Sequence, residues 1–325
     1  MGKTEEHFAI GIDLGGSHVA VAAVDQQGKI VEHESLDITD HALDSVVEVI
    51  VKITKRVLAS VKEPVAGIGI GSPGNIDAST GSIRYSPNFQ WHDVPLGERL
   101  RERLKLPIFI ANDARCATLG EYTYGIGRDT SDFVLLTLGT GIGGGIISGG
   151  QLHLGAGMGA GEVGHHQIRP SDGFVCGCGK IGCFEAQAAG TGLIRHAKAL
   201  EPSFPKSLLL QGKPDQLGSK AIRRAAETGD GHALAAWKNY TRDLALGIAN
   251  VVAFLNPQII ALGGGVSSAG AFLLDTLIPQ VCALTTMAPA GSTRLEIATL
   301  GNDAGMIGAA TMAFQGGLVT QKANA

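Results

Sequence analysis

The feature that most constrains the fold is a strand, a glycine turn and a second strand, a pattern that occurs twice in the chain. Apolar and β-branched residues flank a Gly-Gly turn over residues 8–24, and a similar unit runs from Asp132 to Ile147. Each unit predicts a β-hairpin. A chain of 325 residues exceeds one comfortable hydrophobic core, so we expect two α/β lobes with a cleft between them.

The remaining segments predict the same mixed α/β class in both halves. Apolar residues at three- and four-residue spacings over 42–61 predict an amphipathic helix, and short apolar runs predict buried strands. These strands are expected at 29–34, 65–70, 107–111, 258–262 and 294–299. Further helices are expected at 113–124, within 187–254, at 271–284 and from 303 onwards.

Two glycines after residue 124 predict the boundary between the lobes at that point. We expect a smaller N-terminal α/β lobe over residues 1–124 and a larger C-terminal α/β lobe over 125–301. The C-terminal helix, 302–325, is expected to join the smaller lobe.

Composition argues against several classes of partner. The formal charge is -4 and no Lys/Arg run occurs, so the electrostatic footprint of a nucleic-acid-binding protein is missing. No stretch approaches the roughly 20 apolar residues that cross a bilayer, and we find no export signal, so we expect a cytoplasmic protein. Glycine contributes 47 residues in short clusters, which predicts backbone pressed against a small ligand.

The first glycine turn is a candidate phosphate-binding hairpin. The backbone amides of Gly15, Gly16 and Ser17 can approach an anion closely, and Asp13 can hold a hydrated Mg²⁺ beside it. The motif alone fits an ordinary hairpin equally well. Together with a partner in the other lobe, it predicts a site for the triphosphate of ATP.

The second glycine turn supplies that partner. Gly139-Thr140-Gly141 begins a G-x-G-x-x-G sequence that formally matches a dinucleotide-binding pattern. That pattern needs a helix directly after the glycines, whereas residues 145–150 predict a strand and a turn, so a second phosphate-binding hairpin is the better interpretation. Gly263-Gly264-Gly265 lies between a strand and a helix, where a nucleotide base or ribose can rest against bare backbone.

Asn112-Asp113 lies where a strand ends and a helix begins, the place where open α/β folds present catalytic groups. Asp113 is the candidate catalytic carboxylate, which would accept the proton of a hydroxyl during phosphoryl transfer. An ordinary pKa suffices for this role because the proton moves late. The alternative is that Asp113 only acts as the N-cap of its helix.

The most specific stretch of the chain holds one histidine and three cysteines at metal-ligand spacing. His165, Cys176, Cys178 and Cys183 can form a tetrahedral Zn²⁺ site. Four protein ligands fill the tetrahedron, so we expect a structural ion that shapes a substrate loop over 165–183. The adjacent His166 is the alternative to His165 as a ligand.

Taken together, these motifs resemble the ROK family of repressors and sugar kinases over nearly the whole chain. The distinguishing similarity is E-x-G-H at Glu162 followed by C-x-C-G-x₂-G-C-x-E ending at Glu185. The resemblance implies an actin-like ATPase fold, a duplicated ribonuclease H-like α/β arrangement in which two lobes close on a cleft. It implies ATP between the glycine hairpins, a hexose between the lobes, and a homodimer or homotetramer.

The resemblance also implies an activity and its residues. The γ-phosphoryl group of ATP would pass to the 6-hydroxyl of glucose, with Asp113 as the general base and Mg²⁺ accompanying the nucleotide. His165 would bind the sugar as well as the zinc ion. The implied sugar ligands are Asn75, Asn88, Asn112, Asp113, Glu162, His165 and Glu185.

Three other functions stay open. A kinase of this kind could act on mannose, fructose, N-acetylglucosamine or N-acetylmannosamine, or could use polyphosphate as the donor. A sugar-responsive repressor of the family carries an additional N-terminal DNA-binding module, for which a first strand starting within the first ten residues leaves no room. A noncatalytic actin-like scaffold would not need Asp113 beside a sugar-binding signature.

Overall fold

The computed structural model describes residues 8–207, 209 and 218–318. Parts of the predicted central helical region and the last seven residues of the predicted C-terminal helix lie outside the described residues. In the N-terminal half the elements are β1 Phe8–Leu14, β2 His18–Val24, β3 Ile30–Asp37, α1 Leu43–Ser60, β4 Val65–Ser72, β5 Asn75–Asp77, β6 Ser82–Ser86, β7 Trp91–Val94, α2 Leu96–Leu104, β8 Ile108–Asn112 and α3 Asp113–Thr123.

The C-terminal half continues the mixed α/β pattern. Its elements are β9 Phe133–Leu138, β10 Ile142–Ser148, β11 Gln151–Leu152, α4 Phe184–Ala188, α5 Gly190–Leu200, α6 Ser219–Glu227, α7 Gly231–Leu255, β12 Ile259–Gly263, α8 Ala271–Leu284, β13 Arg294–Ile297 and α9 Ala304–Phe314. The predicted C-terminal helix is too long, because α9 ends at Phe314. Gly316 and Gly317 follow it with φ values of 71° and 110°, which a continuing helix cannot accommodate.

The first sheet brings two polar strand ends to one edge. Its strand order is β3-β2-β1-β4-β8, in which β1, β4 and β8 run parallel and β2 and β3 are antiparallel neighbours. Asp13 of β1 pairs with Gly71 of β4, and Ser72 pairs with Asn112 at the end of β8. Because parallel strands end at the same edge, Asp13 and Asn112 are delivered to the same side of the sheet.

The second sheet repeats the topology of the first. Its order is β11-β10-β9-β12-β13, with β9, β12 and β13 parallel and β10 and β11 antiparallel. Strand β9 therefore corresponds to β1, and the turn after it corresponds to the Gly15-Gly16 turn. This duplication confirms the predicted α/β architecture built around two hairpins.

A third, small sheet forms an arm between β4 and α2 that the sequence analysis does not predict. Its antiparallel strands β5, β6 and β7 have only three to five residues each, too few to display a period. The arm contacts the other half of the chain: Arg84 Nη1 lies 3.3 Å from the Gly157 carbonyl oxygen, and the Ala78 N–H lies 3.3 Å from the Met158 sulfur.

Each large sheet has its own buried core. Helix α1 packs Val46, Ile50 and Val57 against the first sheet, and all three are fully or almost fully buried. Helix α7 holds the corresponding position in the second half, where Tyr240 and Leu244 are fully buried. Removal of this apolar area from water is the main favourable term in folding. Among the described helices, none combines the length and apolar character that a membrane crossing requires.

Helices α3 and α9 connect the two sheets at very short range. Helix α9 lies across β1 and β4, and α3 packs against α9 and against β9 and β10. A Cβ atom on Gly11 of β1 or Gly69 of β4 would overlap the backbone of α9. A Cβ atom on Gly308 of α9 would overlap the Cys116 carbonyl group of α3. Part of the glycine excess therefore serves packing between elements, beyond the ligand contacts that the sequence analysis expects.

A buried carboxylate fixes both connections between the halves. Glu121 in the last turns of α3 is fully buried. Its carboxylate accepts hydrogen bonds from the Leu300 N–H at 2.6 Å and the Ile126 N–H at 3.2 Å, and from the Thr299 hydroxyl at 3.1 Å. Ile126 belongs to the α3–β9 connection and Leu300 to the β13–α9 connection. These hydrogen bonds compensate for the burial of the carboxylate. They also hold the α3–β9 and β13–α9 connections together at one residue.

The α3–α9 contact predicts an inverted response to a common stabilising substitution. Gly→Ala in a helix usually stabilises by about 0.5–1 kcal/mol, but Gly308→Ala must push α3 and α9 apart and should lower the free energy of unfolding by about 3 kcal/mol or more. Gly231→Ala, at the start of α7, is the control and should be neutral or stabilising, because a Cβ there would make only an ordinary contact with the Phe204 ring at 3.9 Å. Urea unfolding of both variants measures this. A free energy of unfolding that is unchanged in Gly308→Ala would contradict the close contact of α3 with α9.

Candidate active site

The first glycine hairpin presents its carboxylate beside a second one. Asp13 lies near the end of β1, and Asp113 is the first residue of α3, directly after β8. The Gly15 N–H donates to the His18 carbonyl oxygen at 2.9 Å, which closes the turn, and Ser17 is exposed at its tip. Burial raises the pKa of Asp13 from 3.8 to about 6, the nearby negative charge of Asp113 adds to the rise, and His18 opposes it.

The environment of Asp113 differs from the sequence-based expectation of an ordinary pKa. Burial raises its pKa, although the Ala114 N–H, 2.8 Å from Oδ1, and the nearby Asn112 and Arg115 side chains oppose the rise. A carboxylate with a raised pKa is a stronger base once ionised. Asp113 is therefore better suited to accept a proton than a fully solvated aspartate would be.

The N-cap of α3 is Asn112 and not Asp113. The Asn112 side-chain oxygen accepts from the N–H groups of Ala114 and Arg115, at 3.1 and 3.3 Å, in extended backbone geometry. Its amide nitrogen donates to the Gly74 carbonyl oxygen at 3.3 Å. Because Asn112 takes the capping position, Asp113 is released from the structural role that was its alternative interpretation. The same bonds leave Asn112 less of its amide for a sugar hydroxyl.

The second glycine hairpin borders a cavity of about 760 Å³. The cavity joins Gly139-Thr140 to Gly263-Gly264-Gly265, two segments that the sequence analysis assigns to one nucleotide site. Gly141 lies on the other side of this turn, against the Glu185 carboxylate. The start of α5 fixes the turn, because the Gly190 N–H donates to the Gly139 carbonyl oxygen at 2.8 Å.

Sequence reasoning missed several polar residues of this cavity, of which Lys220 and Asn302 have the largest polar side chains. Lys220, in the first turn of α6, and Asn302, before α9, both line it. Neither belongs to a recognisable motif, and each lies far along the chain from the hairpin. Only the packing of α6 and of the β13–α9 connection brings them to the glycine segments.

Two of the predicted sugar ligands are acidic residues fixed by neighbouring groups. Glu185, in the first turn of α4, is half-buried and accepts from the Ile142 N–H at 2.9 Å through Oε2. Its Oε1 lies 3.8 Å from the Cys176 sulfur. Glu162 is half-exposed and pairs with Arg115 at 3.3 Å. The structure thus places Glu185 against the second hairpin and ties Glu162 to α3.

Asn75 and Asn88 lie on the arm formed by the small sheet, and both are exposed. Asn88 lies beside Gly16, against the first hairpin. The Asn75 side-chain oxygen accepts from Arg84 Nη1 at 3.4 Å, the same group that contacts the loop around Gly157. Asn88 therefore borders the predicted phosphate-binding turn, whereas Asn75 belongs to the contact between the arm and the second half.

The residues of the predicted zinc site come together. The ligand atoms of His165, Cys176, Cys178 and Cys183 all lie within 4.8 Å of one another. Cys178 Sγ is 3.6 Å from Cys183 Sγ, and Cys176 Sγ is 3.8 Å from His165 Nδ1. Zn–S bonds of about 2.3 Å in a tetrahedron separate the ligand atoms by about 3.8 Å, so the four side chains fit a zinc ion.

His166 takes a different environment from its neighbour. Its Nδ1 faces the Val163 carbonyl oxygen, and the centroid of its ring lies 5.1 Å from that of the Phe184 ring. The ring of His165 is the one that joins the cysteine cluster. Of the two histidines, the geometry therefore favours His165 as the candidate metal ligand.

The two-sheet topology, with glycine hairpins at equivalent positions, is that of the actin-like ATPase fold. A solved structure of a ROK family glucokinase from Streptomyces griseus, in complex with glucose and AMPPNP, matches with a TM-score of 0.82. The two sequences are 33% identical, and the match covers 95% of this chain and 99% of that chain. The family model described as ROK family matches residues 9–315, and the chain belongs to the ROK family.

The relatives of this chain include sugar kinases and transcriptional repressors. A glucokinase of Thermotoga maritima is 37% identical over 307 residues, covering 93% of this chain and 96% of that protein. The xylose repressor of Caldicellulosiruptor bescii is 30% identical over 309 residues, covering 93% of this chain and 77% of that protein. The match with the glucokinase therefore spans nearly the full length of both proteins, whereas the xylose repressor is longer than the part that matches this chain.

The raised pKa of Asp13 predicts that this residue costs stability at neutral pH. The folded protein holds the Asp13 proton up to about pH 6, whereas the unfolded chain loses it near pH 3.8, so stability falls as pH rises between those values. Asp13→Asn should raise the free energy of unfolding at pH 7.5 by about 1–3 kcal/mol and have little effect at pH 4. Denaturant unfolding at both pH values measures this.

The exposed Asp275 on α8 provides the matched control, since Asp275→Asn should change stability little at either pH. An equal gain from Asp13→Asn at pH 4 and pH 7.5 would contradict a charge-dependent cost.

Proposed function

We propose that this protein is an ATP-dependent sugar kinase that phosphorylates the 6-hydroxyl group of glucose. The observation that carries the proposal is the position of Asp113. It follows β8 at the same sheet edge as Asp13 of the first phosphate-binding hairpin, and its charge contributes to the raised pKa of Asp13. The same helical turn is bonded through Arg115 to Glu162, a predicted sugar ligand. The glucokinase relatives support the choice of glucose. The arrangement supports a site in which a sugar hydroxyl and a triphosphate meet at one base.

In the proposed reaction, Asp113 accepts the proton of the 6-hydroxyl as that oxygen forms a bond to the γ-phosphorus of ATP. The bond between the γ-phosphorus and the bridging oxygen breaks, and ADP leaves with the electron pair. Mg²⁺ bound with the nucleotide would neutralise phosphate charge, and Asp13, which lies beside a second carboxylate, is the residue that would hold it. The amides of both glycine hairpins would bind the phosphates.

Sugar recognition is assigned to side chains that are already fixed by other contacts. Glu185 is held by the Ile142 N–H and Glu162 by Arg115, so their carboxylates need little reorganisation to accept hydrogen bonds from hydroxyl groups. Asn75, Asn88, Asn112 and His165 are further proposed ligands. A sugar that lacks a matching hydroxyl would leave a polar group unpaired, which favours discrimination.

Zn²⁺ is the proposed occupant of the His165 and cysteine cluster. The ion would have a structural role, because four protein ligands leave no open coordination position. Cys183 directly precedes α4, which carries Glu185, and His165 is itself a proposed sugar ligand. The ion would therefore fix both side chains relative to the second hairpin.

A sugar-binding regulator without catalysis is the second candidate, and the similarity to a xylose repressor favours it. Such a protein needs the sugar ligands but has no use for two interacting carboxylates with raised pKa values. Turnover distinguishes the two functions.

A coupled ADP-release assay with Mg²⁺ and ATP should show higher kcat/KM for glucose than for mannose, fructose, N-acetylglucosamine or N-acetylmannosamine. Asp113→Asn should lower kcat for glucose by about 100- to 1,000-fold, because the general base is lost. Its Tm should not fall, since Asn has the same shape and removes a buried charge. Preference for another sugar would keep the mechanism and correct the substrate.

Asp275→Asn is the control for this assay and should keep full activity. Wild-type kcat in Asp113→Asn would contradict the assigned base. Lack of turnover with every sugar, with ATP and with polyphosphate, would leave the regulator as the supported function.

Removal of one cysteine tests the metal site. Cys178→Ser should reduce bound zinc from about one ion per chain towards none and lower Tm by about 5–10 °C, because metal binding and folding are coupled. Cys282→Ser is the matched control, as Cys282 is also exposed but lies outside the cluster. Elemental analysis and thermal unfolding measure both effects, and equal zinc content in the two variants would contradict the assignment.

A further inference from the structure

Arg115 is a buried charge that takes no direct part in the proposed phosphoryl transfer. It lies in the first turn of α3, two residues after Asp113, and its side chain is only 4% exposed. Its Nε donates to the Ala160 carbonyl oxygen at 3.1 Å, and its Nη2 lies 3.3 Å from Glu162 Oε1. The guanidinium group thus contacts both the backbone and a side chain of the segment that leads into the sugar-binding signature.

Burial of a guanidinium group is costly, and the described contacts offset that cost only in part. Desolvation lowers the pKa of Arg115, and the negative charge of Glu162 is the main opposing influence. Replacement of buried ion pairs by apolar residues of similar volume is often neutral or stabilising. Stability alone therefore does not account for an arginine here, and a positional role does.

The segment that Arg115 holds has little rigidity of its own. Residues 155–161 alternate glycine with small or flexible residues, and Gly155, Met158 and Gly161 all have positive φ values. Glycine-rich backbone loses more conformational entropy on ordering than other sequences. The Ala160 N–H bonds to the Leu154 carbonyl oxygen, which closes the loop on itself but does not attach it to α3. Arg115 provides that attachment.

We propose that Arg115 is a positioning residue that holds Glu162 and the 155–162 loop at a fixed distance from Asp113 and so determines sugar affinity. The proposal rests on the proposed sugar-kinase function. One turn of α3 then carries both the base and the anchor of a sugar ligand, so the hydroxyl recognised by Glu162 and the hydroxyl presented to Asp113 are set by the same rigid element. Arg115 acts through Glu162 and does not itself touch the reacting atoms.

Steady-state kinetics on four variants test this role. Arg115→Met keeps the volume and removes the charge, and should raise KM for glucose by about tenfold or more while kcat changes less than about threefold and KM for ATP is unchanged. Glu162→Gln should raise KM for glucose similarly. In the double variant, KM for glucose should be no higher than in the more impaired single variant, because both substitutions remove the same Arg115–Glu162 interaction.

Arg115→Lys keeps a positive charge that can reach Glu162 but loses the planar fork that also contacts Ala160. Arg115→Lys should recover part of the glucose affinity. It also keeps the hypothesis testable if the methionine variant does not fold. Arg99→Met is the matched control, because Arg99 also pairs with a carboxylate, Asp44 at 3.4 Å, but lies on the exposed side of α2. It should behave as the wild-type protein does.

Calorimetric titration with glucose alone, without ATP, gives the same comparison independently of turnover. If the wild-type protein binds glucose without turnover, the kinase proposal fails, and the Kd values of the variants still decide the role of Arg115. A fall in kcat with unchanged glucose KM, additive effects in the double variant, or a glucose Kd unaffected by Arg115→Met would each overturn it. A wild-type protein that neither binds nor phosphorylates any sugar of the panel would overturn both proposals.

Discussion

The close contact of α9 with α3 and with the first sheet determines how the other elements are arranged. Helix α9 follows the last strand of the second sheet but packs on β1 and β4 of the first, so the chain closes on itself through this helix. Gly308 and Gly120 allow the helices to approach at backbone distance, since a Cβ on either would overlap the partner helix. Larger side chains at these positions would push the helix axes towards the separation of about 8–10 Å that is usual for packed helices. The position of α3, and with it Asp113, follows from this contact.

The proposed site concentrates negative charge in a place that water reaches poorly. Asp13 and Asp113 each carry a raised pKa, and part of the rise at Asp13 comes from Asp113 itself. Such an arrangement lowers stability in the absence of a counter-charge, and functional sites commonly accept that cost. If the proposed function is correct, a cation that arrives with a nucleotide would relieve the repulsion, and nucleotide binding would then raise the stability of the fold.

Much of the architecture, and the grouping of the candidate zinc ligands, could be predicted because their signals are local. Hairpins, strand ends and the cysteine spacing all lie within short windows, and the structure gathers His165 with the three cysteines as those windows suggest. The choice of Asn112 over Asp113 as N-cap could not be predicted, because it depends on backbone geometry at a single residue. Arg115 and Lys220 acquire their surroundings from segments distant in sequence, and no motif marks either residue. The short strands of the arm were missed because three to five residues show no period.

The duplicated topology also shows where the two halves have diverged. In the second hairpin, Thr137 takes the strand position that Asp13 takes in the first, since each residue lies two positions before the first glycine of its turn. Two identical hairpins facing one another would form a symmetric site, in which a ligand could lie in either direction. A carboxylate on one side and a neutral hydroxyl on the other break that symmetry. An elongated ligand with a cation at one end would consequently have one favourable orientation, with its phosphate chain directed towards the sheet that carries Asp13.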